Sequence, residues 1–152
     1  METINTRIGE ISFSEENIIY FPWGIIGFPE SKRFLLVDGA REKDFKWLQS
    51  IDEPDLTFVT TNPYSFLKDY NPNFPESIFV DLEIEDSNNI LLLNIVKIPE
   101  NPREMTANLM APIIVNTPLR KARQIILDDD KYNTKHYILT EIMKDKAKEQ
   151  EG

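Results

Sequence analysis

The sequence predicts a mainly β fold: a single-domain antiparallel small β-barrel or sandwich spanning residues 1–152, with a short C-terminal helix. Three observations carry this expectation. Short runs rich in Ile, Val, Phe and Tyr recur at roughly 8–12 residue intervals, the spacing of small barrels and sandwiches. Ten prolines punctuate the chain, and a proline cannot donate to a sheet ladder, so it marks strand ends and edges. Helical spacing is confined to the tail, where Ile138, Leu139, Ile142 and Met143 could share one helix face.

In chain order, residues 7–13 and 17–21 read as two strands joined by Ser14-Glu-Glu, on their content of Ile, Phe and Tyr. Between Pro22 and Pro29, Gly24 and Gly27 bracket apolar residues, so this segment crosses from one strand layer to the next. Residues 34–38 form a third strand, ended by Gly39. Residues 45–52 place Phe45, Trp47 and Gln49 on one face and Leu48 on the other, and Glu53-Pro-Asp turns the chain. Residues 56–61 make the next strand, closed by Asn62-Pro63, because the residue before a proline leaves the helical region. Residues 64–74 carry aromatics without a period and read as a loop with one helical turn.

Alternation is clearest in residues 79–85, where Val80, Leu82 and Ile84 share one face and Asp81, Glu83 and Glu85 the other. A turn at 86–89 then pairs this run with a more buried strand at 90–98. Residues 105–116 form a strand interrupted near Pro112, where a ladder donor is missing. Thr117-Pro118 turns the chain, and residues 120–127 return as a strand ended by Asp128-Asp-Asp130. Residues 138–152 form the helical tail, its end fraying.

A chain of 152 residues buries roughly two-thirds of its unfolded surface, so its core needs no covalent staple. There are no cysteines, which excludes disulfides, thiolate metal sites and a cysteine nucleophile. The longest apolar run, Ile90-Leu-Leu-Leu93, is broken by Asn94, far short of the roughly 20 residues that cross a bilayer. The N-terminal segment lacks the basic and apolar regions of a signal peptide, so the cytoplasm is the expected compartment.

The formal net charge is −9, from 26 acidic and 17 basic residues. Direct nucleic-acid binding is disfavoured, because phosphate neutralisation dominates that affinity. A basic protein partner suits such a chain. The five acids between Glu76 and Asp86 have no Lys or Arg in sequence from residue 69 to 96. They read either as the solvated face of a hairpin or as an anionic patch, Asp81, Glu83, Glu85 and Asp86, that meets a basic partner. Residues 106–127 combine β-branched residues with Asn108, Asn116 and Gln124 and the cations Arg120, Lys121 and Arg123. Asn116, before Thr-Pro, reads as a turn residue. Asn108, Arg120 and Gln124 are candidates to face a partner.

Catalytic constellations are missing. One histidine, His136, stands without a Gly-x-Ser-x-Gly elbow or thiolate company. Asp128-Asp129-Asp130 lacks the spacing and glycine of a metal loop. No metal or cofactor is expected. Two other classes stay open: a small barrel that binds an oligonucleotide directly, and a hydrolase on a β scaffold.

Four blocks resemble the FliW family of flagellar assembly factors: Phe21-Pro-Trp-Gly-Ile-Ile-Gly-Phe-Pro-Glu30; residues 47–58 with Asn62-Pro63; Thr106-Ala-Asn-Leu-Met-Ala-Pro-Ile-Ile-Val-Asn116; and Arg120 through Leu127, with Tyr132 and His136 beyond. Arg123 stands where the resemblance leads one to expect glycine, and Asn62 where it leads one to expect aspartate. The resemblance implies a non-enzymatic β-barrel-like protein that binds flagellin in the cytoplasm. It further implies that, once flagellin is secreted, the freed protein binds the RNA-binding regulator CsrA and relieves repression of flagellin mRNA. It assigns no particular residues to either partner.

Overall fold

The computed structural model describes residues 1–39 and 44–138, and in it strands dominate. The N-terminal hairpin pairs β1 (Glu2–Thr6) with β2 (Gly9–Phe13). The remaining strands are β3 (Ile19–Tyr20), β4 (Arg33–Val37), β5 (Phe45–Ser50), β6 (Thr57–Thr61), β7 (Ile90–Lys97), β8 (Thr106–Ala107), β9 (Ile113–Asn116), β10 (Lys121–Gln124) and β11 (His136–Tyr137). They are joined in the order β11-β8-β7-β6-β5-β4-β3-β10-β9, and an additional β7–β9 pairing closes seven of them into a barrel. Every pairing is antiparallel except β10 with β3, which meet in parallel at Lys121 and Tyr20.

All seven barrel strands contribute to one apolar cluster: Ile19, Phe34, Leu36, Leu48, Phe58, Leu91, Leu93, Ile95, Ile113, Val115 and Ala122, joined by Phe21 and Ile25. These are alternate residues of each strand, so this cluster fills the barrel. The intervening positions point outward and form two further clusters. Leu35 and Val37 pack under the β1–β2 hairpin with Phe13, Ile18 and Ile51. Phe45, Leu92, Val96, Ile114 and Ile125 pack under residues 63–86.

The strand that breaks at Pro112 does so as the sequence indicates. β8 and β9 lie along the same side of β7, pairing with opposite ends of it. Between them Asn108 bridges the gap: its N–H donates to Ile95 O at 2.9 Å, and its Oδ1 accepts from Met110 N and Ala111 N at 3.2 and 3.1 Å.

Three expectations need correction. Residues 79–85 are not a strand and form no hairpin with β7; they contain the end of a helix, α1 (Glu76–Asp81). Ile78 and Leu82, one helical turn apart, are buried, whereas Val80 is 75% exposed. The period-2 pattern is a coincidence of phase within a helix that begins after Pro75, with Glu76 in the first turn, where its charge complements the helix dipole. The helix ends in a Schellman motif: Ile84 N donates to Phe79 O and Glu83 N to Val80 O, with Glu83 left-handed at φ 54°. Second, residues 2–6 form a strand that a largely polar Glu-Thr-Ile-Asn-Thr did not suggest. The chain therefore turns at Arg7-Ile8 instead of starting a strand there. Third, residues 136–137 add a strand beside β8. The expected tail helix lies outside the described residues beyond Ile138, which is fully buried.

An acidic clamp holds the β3–β4 end. Asp52 Oδ2 accepts from Lys32 N and Arg33 N at 2.8 and 3.0 Å, and its Oδ1 meets Arg33 Nε at 2.9 Å. Partial burial pushes the Asp52 carboxyl up, but the Lys32 N–H, the Arg33 guanidinium and the Arg33 N–H outweigh it and hold the carboxyl below its ordinary range. A carboxyl that is more acidic in the folded than in the unfolded chain stabilises above its unfolded pKa of roughly 4 and loses that contribution as pH falls through the folded value. Asp52→Asn is therefore expected to cost up to about 1 kcal/mol at neutral pH, as for a partly exposed ion pair. Urea titrations of both chains should show the difference shrinking below pH 4; a difference unchanged at pH 2.5 would refute the assignment.

Candidate functional site

The expected patch and the strand pair 106–127 meet on one outer face of the barrel. Lys121 and Arg123 alternate with the inward Ala122 on β10, so both cations project outward. α1 lies against this side through Ile78 and Leu82, in one cluster with Ile114 and Ile125. Its C-terminal acids then reach the cations: Arg123 Nη1 is 3.2 Å from Asp81 Oδ2, and Lys121 Nζ is 3.7 Å from Glu83 Oε2. The anionic stretch that lacks cations in sequence thus finds two of them across the fold. Among the described residues, Glu85 and Asp86 have no ion-pair partner.

Asn116 fixes the junction. This residue, 4% exposed, donates from Nδ2 to Leu82 O at 2.8 Å and to Glu83 O at 3.2 Å, while its Oδ1 accepts from Leu119 N at 3.3 Å. It is a turn residue, as read from the sequence, and it also ties the end of α1 to the β9–β10 turn. Buried carbonyls at a helix C-terminus need such donors.

On the other side of β10 the loop 21–29 brings Trp23 over the cations. The Arg123 guanidinium carbon lies 4.4 Å from the ring centroid and Lys121 Nζ 5.9 Å. Arg123 is therefore held between an indole and a carboxylate, an arrangement that stabilises its charge from both sides. Ile26, 53% exposed, flanks this face, and its N–H donates to Gln124 Oε1 at 3.0 Å.

The three residues expected to face a partner divide. The Asn108 Oδ1 is engaged by the strand gap described above. Gln124 spans the barrel end, accepting from Ile26 N and donating to Ala111 O at 3.2 Å. Both amides thus have scaffold roles. Arg120 sits in the β9–β10 turn at φ 52°, its carbonyl accepting from Tyr20 N at 2.8 Å, and its Nε is buried without a hydrogen-bond partner among the described residues. Sequence reasoning missed Trp23, Val80 and Leu119 as surface features. The first of these carries a signal, an indole between proline and glycine in a segment of tight turns.

His136 is half-buried and stacks on Phe66 at 5.9 Å. Among the described residues no group of three His, Asp or Glu side chains is placed to hold a metal ion. Asp129 Oδ1 accepts from Lys131 N, a local turn bond. No described helix is long and apolar enough to cross a membrane.

Comparison with known proteins gives one consistent result. The FliW protein family model matches residues 2–138. The flagellar assembly factor FliW of Caldanaerobacter subterraneus is 49% identical over 144 residues, covering 93% of this chain and 95% of the relative. That of Alkaliphilus metalliredigens is 43% identical over 139 residues, covering 91% and 86%. A crystal structure of the flagellar assembly factor FliW superposes with a TM-score of 0.85 at 34% identity, covering 90% of this chain and 96% of that one.

Proposed function

Because the chain belongs to the FliW family of flagellar assembly factors, we propose that it binds flagellin in the cytoplasm and, once flagellin is exported, binds CsrA and relieves its repression of flagellin mRNA. Family membership is the observation that carries this reading; the acidic surface supports its second half. RNA binding by a cationic regulator depends on phosphate neutralisation, so a body of net charge −9 held beside it weakens that binding without occupying the RNA surface. The acids best placed for this are Glu85 and Asp86, since Asp81 and Glu83 are paired with Arg123 and Lys121. Arg120, in the β9–β10 turn, completes the proposed partner-facing set, while Asn108 and Gln124, their amides engaged within the barrel, support it from the scaffold.

Purified chain, flagellin and CsrA from one organism test the reading. The expected result is that flagellin and CsrA exclude one another from the chain in a pulldown, and that adding the chain releases flagellin mRNA from CsrA. Reversing Asp86 alone should leave CsrA bound but reduce RNA release, most clearly at low salt. Simultaneous binding of both partners, or tight RNA binding by the isolated chain at low salt, would sink the proposal.

A further inference from the structure

The Schellman turn ending α1 and the β9–β10 turn enclose an open groove of about 290 Å³, lined by Glu83, Ile84, Glu85, Asn116, Pro118 and Leu119. Its lining brings three apolar side chains, Ile84, Pro118 and Leu119, beside two carboxylates, Glu83 and Glu85. Leu119 is 51% exposed at the turn tip, beside the exposed Pro118. Glu85 has no cation within ion-pair distance among the described residues, and Lys121 stands off Glu83 at 3.7 Å, beyond a direct hydrogen bond. The groove stands at the lower end of the roughly 300–1,000 Å³ of most small-molecule sites and is open to solvent, so a metabolite would leave much of its surface wet.

We propose that this groove receives an arginine or lysine side chain presented by a cationic protein partner. The aliphatic stem of such a residue lies on Ile84, Pro118 and Leu119, as long basic side chains cover apolar surface elsewhere. Its charged head lies between Glu83 and Glu85, where a charge-assisted hydrogen bond to either carboxylate is available. Asn116 holds the two turns together from behind, its amide bonded to the backbone of both, so the backbone that carries the two carboxylates is fixed. This deepens the proposed function, resting on it for the identity of the partner: the anchoring side chain belongs to the RNA-binding regulator, not to flagellin.

Glu83 offers an informative variant. It occupies the left-handed position that glycine favours at a helix C-terminus, so Glu83→Gly is expected to raise the melting temperature while removing a groove carboxylate. Binding of CsrA to the full chain, measured by calorimetry, should weaken roughly tenfold or more for Glu85→Lys and several-fold for Glu83→Gly and the uncharged change Leu119→Ser. Glu10→Lys, on the exposed face of β2, makes the same net-charge change as Glu85→Lys away from the groove, and should alter binding less than threefold. Equal losses for Glu10→Lys and Glu85→Lys, or unchanged binding with Leu119→Ser, would show that the overall field and not the groove holds the partner. An unaltered chain that fails to bind CsrA would instead overturn the proposed function itself.

Discussion

Phe34→Ala is expected to lower the unfolding free energy by about 3–5 kcal/mol, the range for truncating a fully buried aromatic. Phe34 is 0% exposed. It lies edge-on to Phe21 at 4.9 Å and tilted to Phe58 at 6.4 Å between ring centroids. Those rings come from the loop 21–29 and from β6, so the side chain joins the barrel wall to the segment closing its end. Collapse around the missing ring is limited because β4 is hydrogen-bonded on both sides, to β3 and β5. Urea denaturation followed by circular dichroism measures the effect, and a loss below about 1 kcal/mol would show that the wall closes over the void.

Gly24→Ala should be comparably severe by a different route. Gly24 is left-handed at φ 68°, and a Cβ there would meet Pro29 Cα at 2.7 Å and the carbonyl oxygens of Phe28 and Pro29 at 2.8 Å. The backbone conformation alone costs a non-glycine residue about 1–2 kcal/mol, and overpacking against fixed backbone adds about 1–3 kcal/mol. The loop must open to admit the methyl group. Trp23, its neighbour, would then leave Arg123, changing indole fluorescence even where the barrel stays folded. Gly27, at φ 90° but with nothing within 4 Å of a Cβ position, provides the comparison: its alanine variant carries the conformational cost without the clash. Equal destabilisation at both positions would refute the close-approach argument.

Much of the fold is legible in the sequence because the barrel strands obey simple rules. β4, β5, β6 and β7 are apolar or β-branched runs closed by Gly39, Glu53-Pro, Asn62-Pro63 and Pro99, and β9 and β10 flank a Thr-Pro turn. Pro112 marks the interruption between β8 and β9 because its missing N–H cannot be supplied by any packing. Local pattern fails where tertiary contact decides. β1 has Ile4 as its one large aliphatic residue and is held by β2 and by the cluster beneath it. In α1 the apolar residues satisfy both periods over so few positions that only the burial of Ile78 beside Leu82 separates them. The site is less legible than the fold. Asp81 and Arg123 are 42 residues apart in sequence, and nothing local to either announces the other. The acids were visible as a group, but their division into paired and unpaired members belongs to the three-dimensional arrangement.

The parallel contact of β10 with β3 gives this arrangement an order in time. The barrel wall is complete only when Lys121 reaches Tyr20, a pairing that spans most of the chain and is among the entropically most expensive to form. During synthesis β3 to β6 can assemble as a meander, yet the outer face does not exist until β10 has emerged. Loop 21–29, α1 and β10 contribute to it from three distant parts of the chain. A protein built this way has no outer face as a fragment: truncated or half-made copies present the acidic residues without the groove and without the clamped arginine.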